Sequence, residues 1–172
     1  STALVTISDN AFANTNSTIA ASDLKNIGNA TSGTVTVDNL VKVTGNQADV
    51  TAALVTEASK VVFATGNTLA EVSNAVTAAQ GQAIAATTNI SAAFAGGVTD
   101  SVSNLYDTNN SAISTNYTAI KNDDADVDVT VDDNAFANTN STIAAAKLSA
   151  IGNATSGTVT VSNAVKITGS QS

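Results

Sequence analysis

One stretch of this chain is written twice. Residues 9–47 read DNAFANTNSTIAASDLKNIGNATSGTVTVDNLVKVTGNQ, and residues 133–171 read DNAFANTNSTIAAAKLSAIGNATSGTVTVSNAVKITGSQ. The two agree at 31 of 39 positions with a constant offset of 124 residues (Asp9 to Asp133). Self-similarity at a fixed offset is the mark of a tandem array. The chain therefore reads as one period of a repetitive polymer plus the start of the next. Apolar positions and turn residues persist between the copies, whereas charges drift: Asp23 becomes Lys147 and Lys25 becomes Ser149. Selection of that kind keeps packing rather than a reactive site.

Composition narrows the architecture. Apolar residues make up 43% of the chain but aromatics only 3%, so bulky anchors for a globular core are scarce. Ala and Val suit thin layers that stack closely. The expectation is a mixed α/β, repeat-built chain, a solenoid-like stack of short strands and helices. Its expected divisions are 1–49 (first copy, strand–helix–strand–strand), 50–122 (further helix and strand repeats) and 123–172 (start of the second period).

Taken in order, Leu4–Ile7 and Val127–Val131 alternate as half-buried strands before Asp-Asn turns. Ile19, Ala20, Leu24 and Ile27 lie at helical spacing, with Asn16 or Ser17 as N-cap and Gly28 as a left-handed C-cap. Ile143, Ala144, Leu148, Ile151 and Gly152 repeat this design. Thr34–Val37 and Leu40–Gly45 read as strands. The Asp38-Asn39 pair between them suits either a two-residue hairpin or a corner between successive strands, and the repeat context favours the corner. Downstream, helices are expected over 47–59, 68–80 (ended by Gly81) and 90–106, strands over 60–66 and 83–86, and a helix within 107–122 carrying Ile113, Tyr117 and Ile120.

The phrases NATSGTVTV and VTGNQADVTAAL resemble repeats of large secreted or cell-surface proteins of cyanobacteria and related bacteria. The resemblance covers residues 30–80 and 154–169 and implies an adhesin, surface-layer or matrix role. Some of those proteins carry calcium-binding nonapeptide arrays; the pattern GGxGxDxUx is absent here, so that mechanism does not carry over.

Chemistry has few candidates. The chain has no His, Cys or Arg, so catalytic triads of the usual kind and arginine clamps on phosphate are excluded. A carboxylate pair such as Asp100 with Asp107 could do acid–base work on a sugar, and solvated loop carboxylates are the better reading. No enzyme is expected. Net charge is −8 without any basic run, which argues against nucleic acid. No apolar stretch is long enough to span a membrane. Asp124, Asp126, Asp128 and Asp132 form the best candidate ligand set, offering oxygens to Ca²⁺; a solvated acidic linker is the competing reading. Sequons at Asn16, Asn29, Asn89, Asn109, Asn116, Asn140 and Asn153 admit glycosylation in an extracellular setting. Thr34, Thr36, Thr158 and Thr160 suggest threonine rows of the ice-binding kind, or simply solvent-facing strand positions.

The expected function is structural: an extracellular or cell-surface segment that self-assembles into a fibre, sheath, surface layer or adhesin stalk. Its partners would be further copies of itself, head to tail through Leu4–Ile7 and the unfinished second copy, with glycans or other surface components as additional partners. A calcium- or glycan-binding extracellular module is the alternative.

Overall fold

The computed structural model describes residues 1–56, 60–63, 66 and 68–169, with backbone alone at Thr15. It is a mixed α/β structure in two compact units, Ser1–Asn74 with Ala83–Ala93, and Ala75–Gln82 with Phe94–Ser172. Along the chain run β1 (Val5–Ile7), α1 (Phe12–Thr15), β2 (Thr18–Ala20), α2 (Ala21–Ala30), β3 (Val35–Val37), β4 (Lys42–Gly45) and α3 (Gln47–Val50). The last continues as a π-helical turn, Thr51–Thr56. Then come β5 (Val61–Phe63), β6 (Thr68–Val72), α4 (Ala78–Ala85), β7 (Ile90–Ala93), β8 (Val98–Asp100) and α5 (Val102–Leu105). The chain closes with β9 (Tyr106–Asp107), β10 (Ala112–Ile113), α6 (Thr115–Asp123), β11 (Val129–Val131), α7 (Phe136–Thr139), β12 (Thr142–Ala144), α8 (Ala145–Gly152), β13 (Val159–Val161) and β14 (Lys166–Thr168).

In the first unit two parallel sheets form, β1-β3-β5 and β2-β4-β6-β7. Parallel partners need a crossover between them, and here it is a full circuit of chain: Val5 pairs with Val35, and Val35 with Val61. Because β3 and β4 belong to different sheets, Asp38-Asn39 is a corner and not a hairpin. Period-two burial follows from the pleat. Val35 and Val37 point inward and Thr36 outward, as Thr68, Ala70 and Val72 point inward past Leu69 and Glu71. Ala21 and Leu24 of α2 complete the core with Val50, Ala53 and Leu54. The second unit holds the parallel sheets β8-β11-β13 and β12-β14 and the antiparallel pair β9-β10.

The duplicated stretch adopts the same elements twice: β1, α1, β2, α2, β3 and β4 recur as β11, α7, β12, α8, β13 and β14. A Thr-Ser-Gly turn pins each circuit to the one before. Thr31 Oγ1 donates to the Ala3 carbonyl at 2.6 Å while Gly33 N donates to that same hydroxyl at 2.9 Å. Thr155 and Gly157 repeat this on the Val127 carbonyl at 2.7 and 2.9 Å. The approach is so close that a Cβ on Gly157 would stand 2.3 Å from the Asp126 carbonyl oxygen.

Several sequence-based expectations are corrected. Ile19 lies on β2, not on the helix, and α2 has Ala20 as an N-cap without a side-chain bond. Asn16 instead ends α1 in the left-handed conformation (φ 53°), as Asn140 ends α7 (φ 54°). Gly28 and Gly152 are helical residues and not left-handed caps. Residues 68–72 form β6, the strand expected at 83–86 lies within α4, and the helix expected over 90–106 is β7, β8 and α5. For residues 68–72 and 90–93, short Ala- and Val-rich runs fit both periods, and pairing with a neighbouring strand decides between them. The ends of the segments expected at 47–59 and 60–66 lie partly outside the described residues.

Candidate functional site

The aspartates singled out from sequence serve mainly as backbone anchors. Asp124 Oδ2 accepts from Phe94 N at 2.6 Å, and Asp128 Oδ1 accepts from Thr158 N at 2.7 Å. Asp132 Oδ1 accepts from the Ser162 hydroxyl (2.8 Å) and from Asn163 Nδ2 (3.1 Å). Asp133, not in the expected set, accepts from Val102 N at 2.8 Å and caps α5. These bonds join residues 30 or 31 positions apart, so the carboxylates link segments distant in sequence. Asp124 and Asp126 do face each other; burial, and secondarily that neighbour, push the Asp124 carboxyl above its ordinary range. Among the described residues no group of three or more acidic side chains converges on a point that could hold a metal.

Asp100 and Asp107 serve different loops. Asp100 accepts from Ala78 N and Ser101 N, both at 2.9 Å, whereas Asp107 accepts from Asn109 N at 2.9 Å and Asn110 Nδ2 at 2.6 Å. The threonine rows are short: Thr6 beside Thr36, with Val62 next in line, and separately Thr99, Thr130 and Thr160.

What distinguishes one surface is a difference between the two copies. Val35, Val37, Val41, Val43, Ala21 and Leu24 are buried in the first copy. Their counterparts Val159, Val161 and Val165 and Leu148 are half-buried, while Ile167 and Ala145 are exposed. In the first copy the cover comes from the segment that follows it. There β5 extends β3, β6 extends β4, and α3 with its π-helical turn packs on α2. In the second copy, β13 and β14 are sheet edges among the described residues.

Charge follows the same division. Lys42 lies 5.4 Å over the Phe12 ring and pairs with Glu71 of β6. Lys166 lies 5.6 Å over the Phe136 ring, with no ion pair among the described residues. A second pair joins Lys25 of α2 to Asp49 of α3, and that ammonium holds the Asp49 carboxyl below its ordinary value. Sequence reading places a turn at residues 30–33, but the bonds of the Thr31 hydroxyl to Ala3 O and Gly33 N and the Lys–Phe stacking need the third dimension. β1 and β2 form the corresponding edges in the first unit. No helix of the described residues is long and apolar enough to cross a membrane.

Comparisons with protein-family models, with curated proteins and with solved structures return no match.

Proposed function

We propose that this chain is a structural, repeat-built, solenoid-like segment of an extracellular or cell-surface assembly: a fibre, sheath, surface layer or adhesin stalk. The observation that carries the reading is the contrast between the two copies. In the first copy Val35, Val37, Val41, Val43, Ala21 and Leu24 are buried beneath β5, β6 and α3. In the second, Val159, Val161, Val165 and Leu148 are half-buried and Ile167 and Ala145 exposed, although Ile151 is more buried than Ile27. A repeat that cannot bury its apolar face alone is stabilised by the next one, which is how stacked arrays hold together. Unpaired parallel edges with Val and Ile facing inward are templates for further strand addition. The composition, acidic and free of Cys, fits the surface-protein repeats that the sequence resembles.

Self-assembly is tested by sedimentation velocity of the chain across a wide concentration range, with electron microscopy of the concentrated sample. Growth of the sedimenting species with concentration, with linear particles in the images, is expected. A single monomeric species at every concentration would remove self-assembly between copies.

A further inference from the structure

Residues 101–123 break the pattern of the chain around them. Elsewhere the chain passes between parallel partners through one strand of another sheet and then a helix. It does so through β2 and α2 between β1 and β3, β4 and α3 between β3 and β5, and β12 and α8 between β11 and β13. Between β8 and β11, which pair directly, it runs instead through α5, the antiparallel pair β9-β10 and α6. This stretch lies outside the duplicated sequence and holds both tyrosines of the chain. Tyr117 is buried, whereas Tyr106 borders a cleft of about 410 Å³.

We propose that this cleft binds a neutral sugar, either a single unit or the end of a glycan chain. The inference goes beyond self-assembly and does not depend on it. A departure from a repeated pattern is where a repeat-built chain has room for a ligand site.

The lining sets the ligand class. Asn104, Tyr106 and Asn109 come from α5, β9 and the turn that follows, and Thr115 and Asn116 from the start of α6. The side-chain amides of Asn109 and Asn116 and the hydroxyls of Thr115 and Tyr106 form no hydrogen bond among the described residues. An amide both donates and accepts, as a sugar hydroxyl does, so these groups can replace the water around a polyol. The Tyr106 ring adds a flat apolar surface for the C–H face of a pyranose. Lys147 of α8 braces this part of the cleft, with its ammonium 5.5 Å from the centre of that ring and donating to the Thr108 hydroxyl at 3.0 Å.

Other ligand classes fit less well. An apolar molecule would leave the amides and hydroxyls unpaired. Among the described residues Asp107 is the one charged group of the lining, and its carboxylate repels phosphate, sulfate and uronate. That carboxylate already accepts from Asn109 N at 2.9 Å and Asn110 Nδ2 at 2.6 Å, and alone it is too few oxygens for calcium. The volume falls near the lower end of the range for small-molecule sites, about 300–1,000 Å³.

The test is saturation-transfer NMR on the whole 172-residue chain, which reads the sugar and works whether or not the chain assembles. The probes are the methyl glycosides of glucose, galactose, mannose and N-acetylglucosamine, with glucuronate as the charged comparison, each up to tens of millimolar. Saturable transfer to at least one neutral glycoside is expected, and weaker transfer to glucuronate. Tyr106→Leu and Asn116→Ala should each weaken binding about threefold or more, whereas Asn26→Ala, on the exposed side of α2, should not. Circular dichroism checks that the variants keep their fold, and Asn116→Ala decides alone if Tyr106→Leu does not. Absence of transfer to every neutral glycoside overturns the inference. So does a preference for glucuronate, or binding that Asn116→Ala leaves unchanged. None of these outcomes bears on self-assembly, which sedimentation reads separately.

Discussion

Val43 and Ile167 hold the same place in the duplicated stretch, yet Val43 has no exposed surface and Ile167 keeps 48% of its own. Sequence position is equal; what differs is β6, which pairs with β4 through Val43 and Ala70. Removing side-chain carbon should therefore cost different amounts. Val43→Ala is expected to destabilise by about 1.5–3 kcal/mol through lost burial and a residual cavity. Ile167→Ala should cost no more than about 1 kcal/mol although it removes more atoms. Urea unfolding midpoints of the two variants check this ordering.

Two glycines of the second copy should respond in opposite directions. A Cβ on Gly157 would press on backbone carbonyls of Asp126 and Val127, which cannot swing aside. Gly157→Ala is expected to lose about 1–3 kcal/mol. Gly152 ends α8 with nothing within 4 Å of a new Cβ. Gly152→Ala should leave stability unchanged or raise it by up to about 1 kcal/mol. Thermal melts of the pair would reveal an error if both moved the same way.

Two buried hydroxyls have no hydrogen-bond partner among the described residues, those of Thr68 and Tyr117. Burial pushes the Tyr117 phenol up to about 12. The nearby Thr155 hydroxyl, which donates to Val127 O and accepts from Gly157 N, opposes that shift. Leaving a polar group unpaired in an apolar setting is costly, so Thr68→Val and Tyr117→Phe should each gain about 1 kcal/mol. A fall in melting temperature for either variant would show that its hydroxyl has a partner in solution.

Asp124 imposes a pH dependence of known sign. Burial raises its folded-state pKa above the unfolded value, with Asp126 adding to the shift and the Phe94 N–H opposing it. A raised group contributes stability that is fully present below the unfolded pKa and lost as pH rises through the folded one. Asp124→Asn, which keeps a carbonyl oxygen for Phe94 N, should match the parent at acid pH and surpass it at neutral pH. Comparing the two proteins cancels the opposite contribution from Asp49, whose carboxyl is held low by Lys25. Chemical denaturation from acid to neutral pH measures the difference; parallel curves would count against it.

Calcium should matter little. Asp124, Asp128 and Asp132 already accept hydrogen bonds from Phe94, Thr158, Ser162 and Asn163. Binding at a folded-state site would raise the melting temperature with free ion concentration. Melts in millimolar calcium and in chelator are expected to coincide, and a clear upward shift with calcium would support the metal reading.

The duplication, the strand alternation at β1, β3, β11 and β13 and a turn at Asp38-Asn39 were legible without coordinates, because pleat and turn chemistry act locally, whereas the sheets decided that this turn is a corner and not a hairpin. Residues 68–72 and 90–106 were not. Leu69, Val72 and Val76 satisfy a helical period, but β6 gains a complete parallel ladder on β4, and long-range pairing outweighs a weak local preference. The candidate site divides in the same way. Sequence marked the aspartates as notable, whereas only the tertiary structure showed Asp124 and Asp128 accepting from backbone N–H groups and Asp132 from the Ser162 and Asn163 side chains. It alone showed, too, that Ile167 and Leu148 lack the cover given to Val43 and Leu24. Composition and periodicity determine which residues seek burial. What buries them depends on the neighbouring circuit of chain, and that is set by contacts between residues far apart in sequence.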